Sequence, residues 1–132
     1  KKMQLTKKKY LLTDAEREVM EYIWTAEEPL SGNDILEKSP FKEWSSGYLH
    51  NVLRSMLKKK VIQVEGLVQS NTQYARTFAP ALTREEYAAQ MAMSVDGVVN
   101  QKSITKVAMA MAKEAGSEEL IKKLESLLEE SK

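Results

Sequence analysis

The chain has 132 residues, 42% of them hydrophobic, which is enough for a packed core and argues against wholesale disorder. Twenty basic and nineteen acidic residues leave a net charge of +1, and the absence of cysteine excludes disulfides, thiolate metal sites and thiol nucleophiles. No apolar run approaches the ~18 residues of a membrane span and no signal-peptide core is present, so a cytoplasmic protein without membrane insertion is expected.

The charge is unevenly spread. Trp44 to Val64 holds Arg54, Lys58, Lys59 and Lys60 and no acid, whereas Lys113 to Lys132 carries four lysines against six glutamates. A basic middle and an acidic end imply two surfaces with different partners. The lysine-rich first ten residues read as a solvated tail.

The first helix is announced by "LTDAE", in which Thr13 and Glu16 have capping-box spacing. Ala15, Val19 and Ile23 then share one face, with Met20 and Trp24 beside them, and the helix runs to about Ala26 before Pro29. Ser31 caps a short second helix through Glu37, and "SPFKE" reads as a loop. A third helix starts after Ser45, with Leu49, Val52, Leu53, Met56 and Leu57 at the spacing of one buried face. Beyond Lys60 the period changes to two. "VIQVEG" predicts a strand, "LVQSNT" a long hairpin tip and "QYARTFA" the returning strand. Three short helices followed by a hairpin is the order of a winged helix-turn-helix.

After Pro80 come three more helices. Thr83 and Glu86 form another capping box and open a helix to about Val99, Ile104 begins one ending near Gly116, and Ser117 caps the last. The expected fold is therefore mainly α with a small β-hairpin wing. Residues 1–80 make the winged-helix domain and residues 81–132 a helical dimerisation region. The apolar positions Tyr87, Met91, Val107, Met111, Leu120, Ile121, Leu124, Leu127 and Leu128 are too few to build a second core. They need a partner, and an identical chain supplies one.

The outward face of the third helix carries the chemistry. Phosphates line both walls of a DNA groove, so a helix that enters it must be clear of carboxylates. Base edges call for short or flat polar side chains near its start. Ser46, Gly47, Tyr48, His50 and Asn51 meet that need, and Asn51 can bond adenine with both ends of its amide. Arg54 suits guanine or phosphate, Lys58, Lys59 and Lys60 suit the backbone, and Arg76 with the tip Gln69 to Thr72 suits flanking DNA.

Other chemistries find no support in the sequence. His50 is the only histidine, which makes no zinc site, and no nucleophile or phosphate-loop motif is present. Glu16, Glu18 and Glu21 read as an exposed flank serving solubility. Methionines in the later helices read as adaptable filler. No enzyme activity and no cofactor are expected. The rival reading is a winged helix that binds protein, with its lysines merely solvated, and the two readings differ in salt response.

Three stretches resemble the penicillinase-repressor family, which includes the methicillin-resistance and copper-transport repressors. "LTDAEREVMEYIW" is similar to the family's opening helix, and "QYARTFAPALTREEY" to its second wing strand and the entry to its dimerisation helices. Between them, "EWSSGYLHNVLRSMLKKKVI" keeps the frame of a pattern with Trp-Ser, two threonines three apart, an arginine-leucine pair and Lys-Lys-Gly. The resemblance implies a homodimeric repressor on double-stranded DNA with a palindromic operator. The family threonines fall on Tyr48 and Asn51, the arginine on Ser55 and the glycine on Lys60, so the operator sequence does not carry over. Arg54 can stand in for the displaced arginine. The Asn-Phe bond cut in members released by a membrane sensor-protease falls on Met109 and Ala110, which argues against that route of release. Copper sensing through C-terminal cysteines is excluded by their absence.

Overall fold

The computed structural model describes residues 11–70, 73–94, 100 and 102–130. The expected basic tail, the tip residues Asn71 and Thr72 and the helix extension over residues 95–99 lie outside them. The chain divides into two compact units, one reaching Met91 and one starting at Ala92.

In the first unit, α1 spans Asp14–Thr25, β1 Leu30–Ser31, α2 Gly32–Leu36 and α3 Ser46–Lys58. Then β2 covers Ile62–Ser70, β3 Gln73–Pro80 and α4 Arg84–Ser94, the last of these crossing into the second unit. Capping hydrogen bonds fix the helix starts. Thr13 and Glu16 bond each other's backbone amides at 2.8 and 3.2 Å, Ser31 and Asp34 at 2.9 and 3.1 Å, and Thr83 and Glu86 at 2.8 and 3.0 Å. Val19, Met20 and Ile23 of α1 meet Ile35, then Leu49, Leu53 and Met56 of α3, and Val61, Ile62 and Phe78 at the sheet. Each such side chain contributes ~1.5–3 kcal/mol by leaving water.

The sheet has three antiparallel strands in the order β1-β3-β2, which adds β1 to the expected hairpin. Leu30 pairs with Phe78 and Ser31 with Thr77. Two residues carry no readable alternation, and Ser31 also serves as the cap of α2, so the strand is hidden in the sequence. The wing is longer than expected and its tip shorter, because Leu67 and Val68 are paired with Arg76 and Ala75 instead of forming the turn. Val64 opposes Phe78 while Gly66 opposes Thr77, leaving Glu65 as a bulge. The expected loop "SPFKE" contains a 3-10 turn at Phe41–Glu43 that buries Phe41.

α3 ends in a left-handed cap. Lys60 has φ +64°, its amide donates to the Leu57 carbonyl at 3.0 Å, and the Val61 amide donates to Met56 at 3.2 Å. Val61 and Met56 are both buried, which completes the hydrophobic contact of this motif. A side chain at that φ costs ~1–2 kcal/mol that glycine avoids. Lys60→Gly is therefore expected to stabilise the unit by about 1 kcal/mol, read as a higher urea midpoint. An unchanged or lower midpoint would contradict the strain.

Two sequence expectations are corrected here. Glu16 is buried, not part of an exposed flank, because its carboxylate is drawn in by the cap and by Lys59. Tyr87 belongs to the winged unit's own packing instead of a free dimer stripe. Its ring lies 5.7 Å from that of Trp24 and its hydroxyl accepts from the Leu12 amide at 3.4 Å. The Trp24 indole also donates to the Leu82 carbonyl at 3.0 Å. These contacts carry the first unit past Pro80, the boundary expected from sequence.

In the second unit, α5 spans Ile104–Ala115 and packs on α6, Glu118–Glu130, with Ala112 buried. Gly116, at φ +70°, closes α5 in the left-handed conformation, and the Ser117 hydroxyl accepts from the Leu120 amide at 3.2 Å.

Candidate nucleic-acid interface

The site is the outward face of α3. Its apolar stripe faces the core, with Leu49, Val52, Leu53 and Met56 buried, and this turns Gly47, His50, Asn51, Arg54 and Lys58 to solvent. Ser46 and Tyr48 are exposed on the first turn. The helix contains no carboxylate along its length.

Both ends of α3 are held. At its start Ser45 accepts from the Tyr48 amide at 3.0 Å. A run of aromatic rings reaches it from α1. Tyr22 stacks on Phe41 at 6.1 Å, Phe41 meets the edge of Trp44 at 5.0 Å, and Trp44 meets Tyr48 at 4.8 Å. Tyr48 is thereby fixed on one side while remaining 47% exposed on the other.

At the far end Lys59 is turned inward. Its Nζ lies 2.5 Å from Glu16 Oε1 and donates to the Leu11 carbonyl at 2.7 Å, so it is removed from the expected phosphate contacts. Helical geometry explains the correction, since Lys58 and Lys59 point about 100° apart and only one can face outward. Burial alone would raise the Glu16 carboxyl. Hydrogen bonds from Lys59, Ser55 and the Thr13 backbone, together with the Lys59 charge, outweigh it and hold the group below its ordinary value. Sequence reasoning missed this tie, although the capping-box position of Glu16 on the core side of α1 was the available signal.

On the open face, Arg54 Nη1 donates to Asn51 Oδ1 at 3.1 Å, and His50 Nδ1 lies 3.3 Å from the Ser46 carbonyl. The hydrogen bond ties guanidinium and amide together, and the donors it leaves over, on both groups, match the acceptors of base edges or phosphate. On the wing, Arg76 is exposed, with its guanidinium 5.5 Å from the centre of the Phe78 ring. It shares a face with its cross-strand partner Leu67, which is 64% exposed. Gln69 is exposed further out.

The expected dimer residues divide. Met91, Val107, Ile121 and Leu124 are half-buried within the chain, whereas Met111, Leu120 and Leu127 stay exposed. The side chain of Leu128 lies outside what is described. Among the described residues no helix is long and apolar enough to cross a membrane, and no group of three acidic, histidine or cysteine side chains is placed to hold a metal.

Helices α1 to α3 with the β2-β3 wing, and an exposed third helix bearing amide and cations, define a winged helix-turn-helix protein. The chain belongs to the penicillinase repressor family, whose model matches residues 12–130. The family is one of DNA-binding transcriptional repressors. No curated protein matches the chain. Among solved structures, a single-residue mutant of MepR from a multidrug-resistant S. aureus clinical isolate is similar at 16% identity with a TM-score of 0.46. That match covers 98% of this chain and 84% of MepR.

Proposed function

We propose that the chain is a homodimeric repressor that lays the outward face of α3 in the major groove of each half of a palindromic operator. One observation carries the reading. The outward stripe of α3 is Gly47, Asn51, Arg54 and Lys58, polar at its start, cationic at its end and free of acid. Asn51 and Arg54 read base edges, Lys58 grips phosphate, and Arg76 on the wing touches flanking backbone. Family membership supports DNA binding, and the exposed apolar positions of α5 and α6 support self-association.

The test begins by letting the full chain enrich duplexes from a random-sequence pool. An inverted repeat is expected, with half-site centres about one helical turn (~34 Å) or a multiple apart. Asn51→Ala and Arg54→Ala should each weaken binding to the enriched duplex by about 1–3 kcal/mol. Because the two side chains bond each other, the double variant should lose less than the sum. Unmodified affinity in all these variants, or a pool with nothing enriched, would sink the reading in favour of a protein-binding winged helix.

A further inference from the structure

Gly47 sits in the first turn of α3, exposed and outside the left-handed region of φ. A Cβ built on it meets nothing within 4 Å. The fold therefore has no steric need for glycine there, and glycine makes a helix less stable than alanine by loosening its backbone. At the other glycines of the winged unit a Cβ would make ordinary van der Waals contact with the fold, whereas at Gly47 it would face open space. A Cβ on Gly32 would meet Leu49 at 3.9 Å, and one on Gly66 would meet the Thr77 hydroxyl at 3.6 Å.

What singles out Gly47 is its line. Helical spacing of four, seven and eleven residues puts Asn51, Arg54 and Lys58 directly below it on the outward stripe. A residue without a side chain at the head of such a stripe lets another molecule come closer to the backbone than any side chain would allow. We infer that Gly47 is a clearance residue for DNA. Bare backbone at this point sets how deep α3 seats in the groove, and so whether Asn51 and Arg54 reach the base edges. The inference rests on the reading of α3 as the DNA-contacting helix.

The experiment compares the unmodified full chain with Gly47→Ala, Gly47→Val and Lys58→Ala. Each is titrated with the duplex that the unmodified chain enriches from a random pool, and each is unfolded thermally. Gly47→Ala should keep or raise the unfolding midpoint and yet bind the duplex about tenfold more weakly, equivalent to ~1.4 kcal/mol. Gly47→Val should bind more weakly still, because its bulk is greater. If Gly47→Ala binds as tightly as the unmodified chain while Lys58→Ala weakens binding, the clearance role fails and the DNA reading stands. If Lys58→Ala also leaves affinity unchanged, the reading of α3 itself fails. A lowered midpoint in Gly47→Ala would mean that glycine serves the fold, which also overturns the inference.

Discussion

The full-length chain is expected to sediment as a dimer at micromolar concentration, and Leu127→Asp as a monomer. The expectation comes from burial. Leu127 is 60% exposed and Met111 61%, with Leu120 and Ile104 also open to water, in a unit where Ala112 alone among the described residues is fully buried and Val107, Ile121 and Leu124 are half-buried. Covering a leucine yields ~1.5–3 kcal/mol. A twofold interface covers each residue twice, so losing Leu127 should cost ~3–6 kcal/mol per dimer. That is on the order of a hundredfold or more in dissociation constant. A chain ending at Met91 keeps the Trp24–Tyr87 contact that a cut at Pro80 would remove, and should fold as a monomer that binds operator far more weakly. A monomeric full-length chain would overturn the dimer. A dimer that survives Leu127→Asp but not Met111→Asp would move the interface from α6 to α5.

Lys59→Met should destabilise the winged unit by about 2–3 kcal/mol at neutral pH. Removing one partner of a fully buried ion pair costs ~3–5 kcal/mol. The lower figure applies because the Lys59 side chain retains 17% exposure, through which water can reach the orphaned carboxylate. The pH dependence has a definite sign. The folded value of Glu16 lies below its ordinary 4.5, so its contribution is present above that pH and is lost as pH falls through the folded value. Glu16→Gln should be less stable than the unmodified chain near neutrality and should lose less on acidification below pH 4.5. Urea unfolding at both pH values measures this. Parallel acid losses in the two chains would show that Glu16 is not the group responsible.

The legible parts of the sequence were those governed by local rules. Capping boxes at Thr13 and Thr83 and the apolar spacing of α3 depend only on neighbours a few residues away, and they placed the helices and turned Asn51, Arg54 and Lys58 outward. The unreadable parts depend on distant partners. Glu16 and Lys59 lie 43 positions apart, and nothing local distinguishes Lys59 from Lys58 until α1 is packed against α3. Tyr87 likewise looked like an open apolar position until Trp24, far back in the chain, came under it. β1 exists only because β3 passes beside it. The left-handed φ of Lys60 sits where the family pattern has glycine, so here the resemblance carried a geometric hint that composition did not.

The claim that the stripe of α3 meets DNA is tested most directly by salt. The affinity of the full chain for its enriched duplex, measured across a salt series, should fall linearly in logarithmic form with a slope near −0.9 per neutralised phosphate. Lys58→Ala should flatten that slope by about one contact. An affinity of the unmodified chain that does not change with salt would contradict the account.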